Sequence, residues 1–528
     1  MQALALAAAL VLRGSIWTMD DAHPRARALV IDRGRIVFVG DEAGAAALAG
    51  PNARTVDAGA GMILPGFHDS HVHPMTSGMR LLQCNLAGLK SSEKVSAAVR
   101  ACAARSKGSW LFGTGWTPGA YPADRRTLDA LVPDRPALFT TEDGFSGWAN
   151  SKALAGVEGV DESGILRDDA VTRVKRRAPR PSGAEYREAL RLTLAIENGF
   201  GVTSLVDASV DASVVEAYRA ADRAGELTAR VVLAQRVDNH RGEEQVAEMV
   251  RLRRRAKGRR LRADAAKFFL DGEIDRHTAA LLAPYADGSG RGELMIAEDR
   301  LDALVRRLDA EGFIVHMHVM GDRAVRAGLD AVERAASAND SRVVSANDSR
   351  AANANGPRDR RHQLAHLGVV DPADLPRFAR LSVVADLQPL FALPDDPVLA
   401  AAAKALGAGR ARWLYPLASI RAAGGRVVAS SDWPSTSMNV FDAIEAAVTR
   451  APPESSTVAE MLAAYTRDAA WAARQDDGVI AVGRPADVVV LDRNLFQISP
   501  RSIHETRVLV TLLDGEPVYR ASGFEWPR

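Results

Sequence analysis

The chain has 528 residues, 67 of them basic and 66 acidic, more than one hydrophobic core usually serves, so a large domain with a smaller companion is expected. The balanced charge excludes a protein built around a polyanion, so no nucleic-acid partner is expected, and the Arg-rich stretch from Arg251 to Arg262 reads as solvated helix face. Its two cysteines, Cys84 and Cys102, are too few for a disulfide framework and lack zinc-ligand spacing, which fits a reducing, cytoplasmic setting.

The opening apolar residues lack the basic start of a signal peptide and run directly into Gly14 to Thr18, so they are expected to begin a strand. Short β-branched runs follow (9–12, 28–31, 35–39), broken by the turn at Asp32-Arg33-Gly34. The same texture returns at 486–491 and 507–513. Residues 1–62 and 475–528 are therefore expected to be two parts of one β-sandwich. Between them, in 63–474, apolar strands alternate with Ala/Leu/Arg helices, the pattern of a parallel α/β architecture. Candidate strands end at His71 to His73, Asp207, Ala234, Phe269, His318, His366, Asp386 and Asp432. Eight is the number that closes a (β/α)8 TIM barrel. Two further strand-like runs, Trp110 to Gly113 and Pro136 to Thr140, are assigned to an inserted subdomain at about 80–185 that overhangs the barrel mouth. The tandem Ser-Ala-Asn-Asp-Ser-Arg at 337–342 and 345–350 cannot bury a core, so 337–357 is expected to be a flexible surface loop. No apolar run reaches the roughly 18–20 residues of a membrane-spanning helix, and no membrane partner is expected.

His71 and His73 stand one residue apart at the end of a short apolar run. Alternate side chains of a strand share a face, so the pair can offer two imidazole nitrogens to one metal ion. The ends of candidate strands one, four, five, six and eight carry His71 and His73, Lys267, His318, His366 and Asp432. In a (β/α)8 barrel, side chains at the C-terminal strand ends converge on one point.

With these residues in place, the sequence resembles the amidohydrolase superfamily, in the branch that includes N-substituted formamide deformylase. The similar segments are Leu64 to His73, Lys267 to Gly272 with Thr278 to Leu281, His318 to Ala324, Arg361 to His366, Ser431 to Pro434, and Gly483 to Leu491. The resemblance implies a barrel with a β-sandwich made from both termini, one or two divalent metals, and hydrolysis of amide-type C–N bonds in a small-molecule substrate. It makes His71, His73, His318, His366 and Asp432 metal ligands, with Asp432 also the general base and acid. It sets Lys267 where binuclear members carry a carbamylated lysine bridging two metals. The alternative is a mononuclear site in which Lys267 contacts substrate or Asp271. Neutral imidazoles suit zinc, the metal expected first. His316 shares a strand face with His318, and His362 lies deeper than His366; both are candidates for the layer behind the ligands. Barrel hydrolases often dimerise, so a homodimer is considered, although nothing in the chain marks an interface.

Three positions depart from the branch pattern: Phe145 replaces a histidine, His277 an arginine and Ala365 a glutamate. They put the deformylase substrate in doubt more than the hydrolytic chemistry. Trp116, Phe145, Trp148, Asp271 and His277 are candidates for the substrate pocket, and the aromatic ones suggest an amide or N-acyl amine with a bulky apolar group. A cyclic amide hydrolase or deaminase is the alternative; a deaminase should have a glutamate near strand five, and none directly follows His318. A catalytically silent metal-binding or regulatory barrel is the reading from another class.

Overall fold

A computed structural model describes residues 9–141, 144, 146–161, 163–167, 169–345 and 359–527, with only the backbone of 341–345. Both termini contribute to one seven-stranded sheet, ordered Glu516–Arg520, Val508–Leu513, Val488–Leu491, Arg54–Pro65, Leu10–Trp17, Arg25–Asp32, Arg35–Gly40. Strand alternation divides its apolar residues. Leu10, Leu12, Leu29 and Ile31 pack with Val488, Val490, Val510 and Leu512, while Val11, Ala28 and Val30 pack with Ala45 and Ala49 of the helix Glu42–Ala49. The first strand changes register between Arg13 and Ile16. Gly14 sits there at φ 144°, where a Cβ would come 2.8 Å from that of Ala58, so the bend requires glycine.

Eight parallel strands form the barrel: Phe67–Val72, Val202–Val210, Arg230–Arg236, Leu261–Phe269, Ile314–Val319, Gln363–His366, Val384–Leu387 and Arg426–Ala429. They pair in chain order from first to eighth. Closure comes from residues just beyond the last strand, where the Asp432 amide donates to the His71 carbonyl at 2.8 Å and the His73 amide to the Trp433 carbonyl at 3.0 Å. Most positions along these strands are buried, as a parallel sheet covered on both faces demands. Helices return between strands with side-chain caps at several starts: Asp211 accepts from the Ser213 and Val214 amides, and Thr457 with Glu460 forms a capping box.

Residues 74–193 form a second compact unit. Its five-stranded sheet runs Ile165–Arg167, Ser146–Ala149, Ala137–Thr140, Leu111–Thr114, Cys84–Asn85, so both surplus strand-like runs fall here rather than in the barrel. Two expectations need correction. Cys84 and Cys102 are joined in a disulfide, because the helix Ser92–Arg105 packs on the short strand that carries Cys84; the reducing setting loses the support of free thiols. The polar repeat does not begin as a loop: the helix Asp322–Ser345 runs through its first copy, with Asn339 donating to the Arg306 carbonyl and to Asp309. Polar residues can prolong a helix when its neighbours supply hydrogen-bond partners. The rest of the expected loop, 346–357, lies outside the described residues, as do residues 1–8 at the start of the chain. No helix among the described residues is long and apolar enough to cross a membrane.

Candidate metal centre

Parallel register sets the depth of each side chain in the barrel. Lys267 pairs with His316, and Phe269 with His318, so Lys267 and His316 share a layer while His318 stands two residues nearer the C-terminal mouth. His366 pairs with Val319. The His71 ring lies 4.7 Å from that of His366, and the His318 ring 4.5 Å from it. Asp432 Oδ1 reaches Nε2 of His73 at 3.1 Å and Nε2 of His71 at 3.5 Å. Lys267 Nζ stands 3.3 Å from His71 Nε2. All six expected ligands therefore converge, and donor atoms of His71, His73 and Asp432 lie within 4.8 Å of one another.

Each inner histidine is held by a partner behind it. His71 Nδ1 meets His316 Nε2 at 2.9 Å, His366 Nδ1 meets Gln388 Oε1 at 2.9 Å, and the Gly272 backbone bonds the His318 ring. The Nε2 atoms are left to the interior, and that of His318 is buried without a hydrogen-bond partner. Outer partners that hold one ring nitrogen and free the other are what a metal-ligating histidine needs. Burial, reinforced by the crowding of Lys267 and the other ring nitrogens, which disfavours a further positive charge, holds His71 and His318 well below the usual histidine range; His366 is brought by burial to about 4. Neutral rings result. Burial alone would raise Asp432, yet the His73 hydrogen bond and nearby positive charge hold it at about 2. Burial brings Lys267 down to about 7 although Asp432 and Asp386 oppose this. Uncharged imidazoles beside an ionised carboxylate, with one buried nitrogen orphaned, fit a divalent cation.

A second triple, His71, His316 and Asp386, lies behind the first. Two nitrogens bound to one tetrahedral ion at about 2.05 Å stand about 3.3 Å apart; the 2.9 Å between His71 and His316 is a hydrogen-bond distance. His316 therefore supports His71. His362 lies elsewhere, accepting from the Val315 amide and facing Asp309, so it is not behind His366 as expected.

The expected pocket residues do not gather at this centre. Asp271 is buried and accepts from the Met320, Gly321 and Ala280 amides; its carboxylate ties the loop after strand four to the loop after strand five, and both of its oxygens are engaged in that role. Burial lifts it to about 8. Trp116 and Trp148 belong to the hydrophobic core of the second unit, where Trp148 donates to the Asp124 carbonyl. His277 turns to Asp287, 3.2 Å away. Phe145 lies outside the described residues. Ala365 is buried in strand six. One group was not foreseen. Glu273, from the loop after strand four, brings Oε1 to 3.9 Å from His318 Nε2, and burial with repulsion from Asp275 and Asp432 lifts its carboxyl to about 7. Its only signal in sequence is its place six residues after Lys267.

A parallel barrel whose mouth gathers neutral imidazoles around one carboxylate puts the chain among the metal-dependent hydrolase barrels. The model of the amidohydrolase family matches residues 54–519. The chain belongs to that family, and it is a hydrolase. A putative amidohydrolase, YtcJ, of Bacillus subtilis (strain 168) is 27% identical, covering 96% of this chain and 99% of that one. N-substituted formamide deformylase of Arthrobacter pascens is 24% identical over 97% of this chain and 98% of its own. The solved structure of an uncharacterized metal-dependent hydrolase from Pyrococcus furiosus superposes with a TM-score of 0.78 at 26% identity, covering 93% of this chain and all of that one.

Proposed function

We propose that the protein hydrolyses the C–N bond of a linear amide of the N-substituted formamide or N-acyl amine type, with Asp432 as general base and then general acid. The observation that carries this is Asp432 itself, an ionised and buried carboxylate within 3.5 Å of the Nε2 atoms of both His71 and His73. His71, His73 and Asp432 would hold one divalent ion, zinc first, with Lys267, His318 and His366 available to a second if Lys267 is carbamylated. Such an ion supplies Lewis acidity, which polarises the scissile carbonyl and makes water acidic near neutral pH. Asp432 accepts the proton of the attacking water and returns it to the departing nitrogen, so that the amine leaves neutral. The name of the Arthrobacter relative favours formamides. The preference for a bulky apolar group loses the support of Trp116 and Trp148, which are core residues. A cytoplasmic setting loses that of the cysteines.

Asp432→Asn, assayed at saturating zinc, should lose about 10²- to 10⁴-fold in kcat on N-formyl amines. Undiminished turnover would remove Asp432 from the chemistry. One observation favours the second reading, a deaminase: Glu273 brings a carboxylate beside the strand-five histidine. Product analysis separates the two, since a deaminase releases ammonia from amino-heterocycles and the amide hydrolase releases a substituted amine.

A further inference from the structure

Behind the metal centre a continuous line of hydrogen bonds leads from His366 to a buried carboxylate. His366 Nδ1 meets Gln388 Oε1 at 2.9 Å. Gln388 Nε2 donates to Ser430 Oγ at 2.7 Å, and Ser430 Oγ donates to Asp386 Oδ1 at 2.5 Å. All four side chains are buried, so no bulk water competes for these bonds. They come from three successive strands: His366 ends strand six, Asp386 and Gln388 flank the end of strand seven, and Ser430 follows strand eight.

We propose that Asp386 is a positioning residue that sets the proton order of this line and so compels His366 to present a bare Nε2 to a metal. The inference rests on His366 being a ligand, as in the proposed function. A hydroxyl has one proton. With that proton given to Asp386, Ser430 can only accept, so it takes a proton of the Gln388 amide nitrogen. The Gln388 carbonyl oxygen is thereby turned to His366, where it can only accept. His366 must then carry its proton on Nδ1, and Nε2 keeps its lone pair. The reverse order needs a donor at Asp386 Oδ1. Burial pushes this carboxyl up to about 8, so the order described is that of the ionised form, with Oδ1 accepting from Ser430 at 2.5 Å, and the measurements that test it are made above that pH.

Asparagine at this position removes the constraint, because its NH2 can donate to Ser430. Ser430 then donates to a flipped Gln388, and His366 receives an N–H and moves its own proton to Nε2, the wrong tautomer for ligation. The order is restored from the middle of the line by Gln388→Glu, whose carboxylate can only accept from His366. The two substitutions therefore compensate.

The test measures zinc affinity by competition with a chelator in the full-length wild type, Asp386→Asn, Gln388→Glu and the double variant, and reads the histidine tautomers of the metal-free proteins by ¹⁵N NMR with labelled histidine. Asp386→Asn is expected to weaken zinc binding about 10- to 100-fold, the usual effect of removing an outer partner, with His366 shifting from Nδ1–H towards Nε2–H. The double variant should regain most of the loss. Wild-type affinity in Asp386→Asn, or a double variant no better than the single, would overturn the proposal, since a merely structural aspartate has no reason to be rescued at Gln388. If Asp386→Asn does not fold, Ser430→Ala frees the same amide, and its rescue by Gln388→Glu decides the matter. Should the wild type bind no zinc, the metal reading fails, and the tautomer of His366 in the metal-free protein still decides the proton order.

Discussion

His366 and Asp432 adopt φ of 76° and 53°, the left-handed region where a non-glycine residue costs about 1–3 kcal/mol. Both are expected ligands, and both stand where a strand has just ended, so the chain turns sharply while the side chain still points inward. Lys267 differs: it lies within its strand, fully buried, with its amine against His71 Nε2. Only a neutral amine adds to carbon dioxide, and burial that brings Lys267 to about 7 supplies that form at neutral pH. With zinc and ¹³C-bicarbonate we expect a carbamate carbon signal together with a second metal equivalent, and Lys267→Met should abolish both. A wild type with neither leaves Lys267 a plain amine beside a single metal. The six convergent residues could be picked out in the sequence because each ends, or lies in, a run that reads as a barrel strand. Asp386, Ser430, Gln388 and Glu273 could not, since their meaning lies in contacts between neighbouring strands and loops, and one sequence shows no such contacts.

Two elements outside the centre make their own predictions. The helix Asp322–Ser345 is anchored through Asp309, which receives Asn339 at 2.6 Å and Arg360 at 2.8 Å and faces His362 at 3.2 Å. Burial works against ionisation there, but the hydrogen bonds of His362 and Asn339 and the charge of Arg360 prevail and hold Asp309 below the usual carboxylate range. A depressed folded pKa gives stability that is complete above the unfolded value of about 4 and is lost as pH falls through the folded one. Asp309→Asn should therefore flatten the fall in stability below about pH 4, measured by urea unfolding over a pH series, and cost about 1–3 kcal/mol at neutral pH. The helix was underestimated from sequence because its polar repeat reads as loop, whereas the partners that retain it come from residues up to 33 positions away. In the second unit, the Cys84–Cys102 bond closes a separation of 18 residues, for which loop-closure entropy gives about 3 kcal/mol. Thiol alkylation before reduction should label neither cysteine in the folded protein, and Cys84→Ser with Cys102→Ser should lower the stability of this unit by about that amount. Labelling of both would return the protein to the reducing setting first expected.

At the scale of the molecule, the barrel could be read from eight apolar runs, and the paired β-segments from a texture that appears at both ends of the chain. That the terminal strands join in one seven-stranded sheet could not, because it depends on Arg54–Pro65 pairing with Leu10–Trp17 on one side and Val488–Leu491 on the other. All six converging residues belong to the unit made of 1–73 and 194–528, while 74–193 has its own core. Metal that binds only the folded barrel stabilises it by mass action, about 2.7 kcal/mol at a free concentration a hundred times Kd. Calorimetry of metal-stripped protein titrated with zinc should thus raise the melting transition of the barrel, and where the two units melt separately it should leave the other in place. Elemental analysis of the same sample fixes the stoichiometry. Two equivalents require a bridging group between His71, His73 and Asp432 on one side and His318 and His366 on the other, and Lys267 is the buried group within reach of His71; one equivalent removes that need. No bound metal and no shift would leave the neutral rings of His71, His318 and His366 and an ionised Asp432 buried together without a cation, and the catalytically silent barrel would then be the better account of the chain.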